Sequence, residues 1–144
     1  MSFKDNINTW IFDLDNTLYS ADSGIFQQVH KLMGEFVAKN LNMELAEAKK
    51  LQAKYYKQHG TTLRGMMDNH GVDPDYFLEE VHKLDYSIVG PNQNLNDELY
   101  KLEGRKIIYT NANKQHVLDV LEKINLTNFF DEIYDLSLIH ISEP

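Results

Sequence analysis

Two aspartates one residue apart, Asp13 and Asp15, follow the apolar run Trp10, Ile11, Phe12 and precede Asn16 and Thr17. Carboxylates held that close repel each other, and a cation between or beside them relieves the repulsion. A hard divalent ion such as Mg²⁺ prefers oxygen ligands and answers that need. Asp13 and Asp15 are therefore candidate metal ligands. The alternative is an ordinary strand that ends in an Asp-Asn turn, with both carboxylates solvated.

The elements that must position this pair are legible around it. Bulky β-branched and aromatic residues followed by polar, turn-prone ones read as a buried strand that delivers carboxylates to its C-terminal end. In open α/β sheets ligands bind at that end. If the strand simply continues, alternation puts Asp13 and Asp15 on one side of it. A second strand reads over residues 106–110, K-I-I-Y-T, closed by the turn Asn111, Ala112, Asn113. Lys114 to Ile124 is then an amphipathic helix with Val117, Leu118, Leu121 and Ile124 inward. If the two strands are parallel, the turn after the second lies at the same sheet end as Asp13. Thr110 ends that strand, and the free amides that follow, beginning at Asn111, suit a phosphate.

Between the strands the pattern is helical. Ile25, Val29, Leu32, Met33, Phe36, Val37 and Leu41 form one apolar stripe. A second helix is expected from about Met43 to His59, with Asn42 as cap and Gly60 as stop; its charged face is solvated, and Tyr55 and Tyr56 pack. The segment Gly60 to Met67, G-T-T-L-R-G-M-M, enters a short helix. It either presents Arg64 or Thr62 towards a pocket or is a capped interhelical turn with a surface arginine. Asp73 and Pro74 open a helix through about Leu84. Residues 85–94 form a connection, and Asn96 to Leu102 another helix.

Composition sets bounds. The chain has 144 residues, 42% hydrophobic and 25% charged, as in an ordinary folded protein. A net charge of −8 with no basic patch argues against binding nucleic acid polymers. Cysteine is absent, which removes disulfides and thiolate metal sites and suits a reducing compartment. No apolar stretch is long enough for a signal peptide or a membrane span, so the cytoplasm is the expected location. The spacings of His30, His59, His70, His82 and His116 fit no common metal site, and packing or surface roles are expected of them.

D-x-D-x-T, present as Asp13, Asp15 and Thr17, resembles the first motif of the haloacid dehalogenase-like (HAD) hydrolase superfamily, and Thr110 resembles its second. The resemblance implies a Rossmann-like parallel α/β sheet with a helical cap inserted after the first strand. The core would be residues 1–20 and 91–135, and the cap residues 21–90. It further implies Mg²⁺, held by Asp13 and Asp15, and roles for each carboxylate. Asp13 would attack a phosphate ester to form an aspartyl-phosphate, while Asp15 protonates the leaving oxygen and then activates water. Thr110, with Asn111, would hold the phosphoryl group.

D-L-D-N-T-L-Y, H-G-T-T-L-R-G, V-H-K-L-D-Y-S and Y-T-N-A together are similar to the pyrimidine 5′-nucleotidase branch, over about residues 8–135. That implies a small phosphomonoester substrate, a nucleoside 5′-monophosphate. A departure is Ser20, where the branch has proline. Alternatives are a sugar-phosphate phosphatase or phosphomutase of the same superfamily, and a noncatalytic phosphate-binding or receiver-like domain. The resemblance also calls for a lysine and further metal-binding aspartates downstream of Asp135. Instead, residues 136–144, L-S-L-I-H-I-S-E-P, resemble a translated sequencing adapter, a non-native tail in which His140 has no ligand role. On that reading the chain is an N-terminal fragment with its first strand at an open edge, inactive and poorly stable alone.

Overall fold

β1 (Thr9–Phe12) and β2 (Arg105–Tyr109) run parallel, with Thr9 opposite Arg105 and Phe12 opposite Ile108. The computed structural model describes residues 6–135. Parallel neighbours need a long crossover connection, and here five α-helices lie in it. They are α1 (Ile25–Leu41), α2 (Leu45–His59), α3 (Thr62–His70), α4 (Pro74–Val81) and α5 (Gln93–Tyr100), the last preceding β2. After β2 come α6 (Lys114–Lys123) and a short strand β3 (Glu132–Tyr134), parallel to β2, giving the sheet order β1-β2-β3. The architecture is α/β, a partial Rossmann-like parallel sheet.

The chain divides into two compact units, one of residues up to Gly24 together with those from Tyr86 onward, the other Ile25–Asp85. In the first, Leu14, Ile108, Val117, Val120, Ile124 and Leu126 are fully buried. Register is fixed at the N-terminal end of β1. There the amide of Arg105 donates to the carbonyl of Asn8 at 2.8 Å. Gly104, at φ 103°, brings its Cα so near that carbonyl that a Cβ would collide with it. Edge-to-face contacts between Phe12 and Phe130 (5.7 Å) and between Phe129 and Phe130 (5.0 Å) extend the core past the sheet.

The helical unit closes over Phe36, Val37, Ala48, Met66, Phe77 and Val81, with the rings of Phe36 and Phe77 4.9 Å apart. The polar segment after α2 resolves as a capped corner. Gly60 ends α2 in the left-handed region, its amide donating to the carbonyl of Tyr56, and the Thr61 hydroxyl caps α3 by accepting from the amide of Arg64. Thr62 is buried and reaches the carbonyl of Gln52. Arg64 is exposed and ion-paired to Asp68, which also pairs with His59. No helix among the described residues is long and apolar enough to cross a membrane.

Several expectations need correcting. Asn42 does not cap α2. It follows α1 at φ 50°, a left-handed position that asparagine tolerates, and Glu44 takes the N-cap position without a side-chain bond. α4 stops at Val81, three residues early, where the His82 amide and ring both reach the carbonyl of Leu78. Leu118 is 42% exposed and Val120 takes its expected inward place. Tyr55 packs, but Tyr56 is exposed. β3 was not anticipated, and the 136–144 tail lies outside the described residues.

Candidate active site

β1 ends at Phe12, so the condition under which Asp13 and Asp15 would share a strand face does not hold. The amides of Thr17 and Leu18 donate to the carbonyl of Leu14, at 3.3 and 3.0 Å, turning the chain sharply. Asn16 sits at φ 60°, in the left-handed region that asparagine enters at small cost. Leu14 is fully buried and anchors the turn. Asp13 is exposed at the strand end, and its Oδ1 accepts from the amide of Leu14 at 2.9 Å.

The turn brings Asp15 half-inside, where two donors meet its Oδ1: the hydroxyl of Tyr19 and Nε2 of His116, the latter at 2.8 Å. Tyr19 is nearly buried, and burial first, then the charge of Asp15, lifts its hydroxyl well above the ordinary tyrosine value. Tyr19 therefore stays protonated and donates. On the other side of the imidazole, the Tyr86 hydroxyl lies 2.7 Å from Nδ1. Tyr86 is likewise held protonated, by burial and by the charges of Asp119 and Asp15.

Thr110 directly follows β2, at 3% exposure, its amide donating to the carbonyl of Tyr134 on β3. Its Oγ1 accepts from the amide of Ala112 at 3.2 Å, shaping the turn in which Asn111 is exposed. Asn113 then caps α6, its Oδ1 accepting from the amide of His116 at 2.9 Å. With β1 and β2 parallel and in register, Asp13 and Thr110 emerge at the same end of adjacent strands. Asp15 is bonded directly to the helix that Thr110 leads into.

His116, Tyr86 and Tyr19 are the residues that sequence reading passed over. Spacing arithmetic for metal sites discards a lone histidine. The usable signal was its place: third residue after the cap Asn113, in the first turn of a helix that starts at the ligand-binding end of the sheet. Ser20 has φ −71° and ψ 142°, a backbone that proline also adopts. Here its hydroxyl accepts from the amide of Asp22 and caps the 3-10 turn Ala21–Ser23.

Among the described residues no group of three or more His, Cys, Asp or Glu side chains gathers to hold a metal ion. Two carboxylates with no cysteine and no clustered histidines do not make a zinc site, which takes three or four protein ligands, chiefly histidine and cysteine. They do fit Mg²⁺, which keeps several waters and takes one or two carboxylates plus substrate phosphate oxygens.

A sequence model of the haloacid dehalogenase-like hydrolases matches residues 10–144. The chain belongs to this family. Phosphate metabolism protein 8 of Saccharomyces cerevisiae is 25% identical to it over an alignment of 136 positions that covers 86% of the chain and 42% of that protein. The chain thus spans less than half the length of this curated relative. A solved structure of the family, the HAD-hydrolase YfnB of Bacillus subtilis bound to magnesium, aligns with a TM-score of 0.48 at 16% identity, covering 89% of this chain and 64% of that one.

Proposed function

We propose that this chain carries the nucleophile, the acid–base residue and a phosphate hook of a Mg²⁺-dependent phosphomonoesterase. The substrate class is nucleoside 5′-monophosphates, as in pyrimidine 5′-nucleotidases, and the helices within residues 21–90 serve as its cap. One observation supports this above the others: the Asp15 carboxylate is gripped by the helix that begins just after Thr110, at the strand end where Asp13 is exposed. A pair of solvated turn carboxylates would not be held this way.

In the first step an oxygen of Asp13 attacks phosphorus as the ester P–O bond breaks, and the proton of Asp15 passes to the departing oxygen. In the second, water attacks the phosphorus of the aspartyl-phosphate and gives a proton to Asp15. The bond to Asp13 breaks, and inorganic phosphate leaves. Thr110 and the amide of Asn111 orient the phosphoryl oxygens. Asp13 and Asp15 would hold the Mg²⁺, which supplies charge neutralisation at the phosphoryl group. The name of the yeast relative, a phosphate metabolism protein, supports phosphate chemistry in general.

The test is hydrolysis of p-nitrophenyl phosphate and of a nucleoside monophosphate panel by the protein expressed from its complete reading frame. Asp13→Asn is expected to cost on the order of 10³-fold or more, as loss of a covalent nucleophile does, and chelation of Mg²⁺ to abolish turnover. Undiminished hydrolysis by Asp13→Asn would overturn the proposal.

A further inference from the structure

We propose that His116 is a positioning residue of this site: its Nε2–H fixes the Asp15 carboxylate, and Tyr86 fixes the ring in turn. The proposal rests on the phosphomonoesterase reading for its catalytic meaning, while the tether itself stands on geometry. His116 is 2% exposed, yet both ring nitrogens lie within hydrogen-bond distance of polar groups far away in sequence. Any buried imidazole needs partners for its nitrogens; what sets this one apart is that a partner is the acid–base carboxylate itself.

The chemistry assigns the protons. The Tyr19 hydroxyl and His116 both meet Oδ1 of Asp15, and the proton that Asp15 delivers as an acid belongs on its other oxygen, so Nε2 must carry hydrogen towards Oδ1. In the Nε2–H tautomer Nδ1 is an acceptor, and the Tyr86 hydroxyl 2.7 Å away is the donor that meets it. Asn113 holds the backbone of His116 through its amide, so ring, helix start and strand end form one rigid piece.

An aspartate at the end of a turn samples several rotamers. An acid–base carboxylate must instead stay within hydrogen-bond reach of the ester oxygen and then of water. Donors from Tyr19 and His116 converging on one oxygen select a single orientation. The cost of losing such support is about 10- to 100-fold in comparable outer positions.

Two isosteres separate the two ring nitrogens. Glutamine places its amide nitrogen near the position of Nε2 and keeps a donor for Asp15; asparagine reaches only the position of Nδ1 and loses it. The protein from the complete reading frame, labelled with [¹⁵N]His and [¹³Cγ]Asp, gives the first readout. A proton on Nε2 is expected, with the Asp15 carboxyl resonance near its wild-type position in His116→Gln and displaced in His116→Asn. A bare Nε2, or an Asp15 resonance equally placed in both variants, overturns the proposal.

The second readout is turnover of p-nitrophenyl phosphate with Mg²⁺. His116→Asn should lower kcat at least tenfold with KM within about twofold, and His116→Gln should recover most of that loss; equal losses in both variants count against the proposal. The control is Asp13→Asn. If wild-type protein shows no hydrolysis that depends on Asp13, the phosphomonoesterase reading fails, and the resonances still decide the tether.

Discussion

The turn at Asp13–Tyr19 and the corner at His59–Arg64 look alike in sequence, both short and carrying threonine beside Asn or Gly, yet they use their side chains in opposite ways. At the corner the partners are mostly local. Thr61 accepts from an amide three residues on, Arg64 pairs with Asp68 four residues on, and His59 reaches the same carboxylate. At the turn, Asp15 is bonded to a histidine 101 positions away, which meets a tyrosine 30 positions before it. A corner that satisfies itself needs nothing from the rest of the chain. A turn whose carboxylate is held from afar has been given an orientation, and orientation is what chemistry requires.

The largest break should come from Gly65, on the corner side. A Cβ there would run into Cγ and Cβ of Tyr55, atoms near the root of that side chain that cannot swing away. Alanine gains about 1 kcal/mol in helix propensity, but overpacking of this kind costs about 1–3 kcal/mol. Gly65→Ala should therefore destabilise the protein by up to a net ~2 kcal/mol in denaturant melts, leaving the Asp15 carboxyl resonance in place.

The caps sharpen the contrast. Thr61→Ala and Asn113→Ala each remove one N-cap bond and should each cost ~1 kcal/mol. Only Asn113→Ala should shift the Asp15 resonance, because only that cap holds His116. Equal silence from both would erase the distinction between turn and corner.

A smaller effect is expected at alkaline pH. Tyr19 and Tyr86 have folded pKa values raised above the ordinary tyrosine value, which is about 10. Below that value both states keep the phenolic protons and these groups leave stability unchanged. Above it the unfolded chain loses protons that the fold retains, so stability falls as pH rises. Tyr19→Phe should give a shallower decline in Tm above pH ~10, and a parallel decline would count against a buried Tyr19 donor. Least of all, Arg64→Ala should change stability by about 0.5 kcal/mol or less, since its ion pair with Asp68 is exposed.

Much of this was written in local patterns. The apolar run before Asp13 and the K-I-I-Y-T strand were readable because each couples β-formers to a polar stop. Helix starts at Asp73 and Asn113 follow from their capping chemistry. β3 escaped notice because three residues are too few to show a period. Asn42 was misassigned because asparagine serves equally at an N-cap and at a left-handed exit, and only the neighbouring helix decides which. Asp13, Asp15 and Thr110 were legible as candidates near one end of the sheet; the side chains that hold Asp15 were not. The tether from His116 to Asp15 joins distant positions through single atoms, and no window along the chain contains both.

The lock between Gly104 and Asn8 has a consequence for how such proteins diversify. Strand alignment is set at one end of the β1–β2 pair, whereas the long excursion leaves from the other. An ancestor could exchange, lengthen or shorten the helices within residues 25–85 as a cassette, with α5 still in the crossover that parallel strands need, without re-indexing a single rung of the ladder. Novelty in what is recognised can then accumulate while the hardware beneath it stays in place.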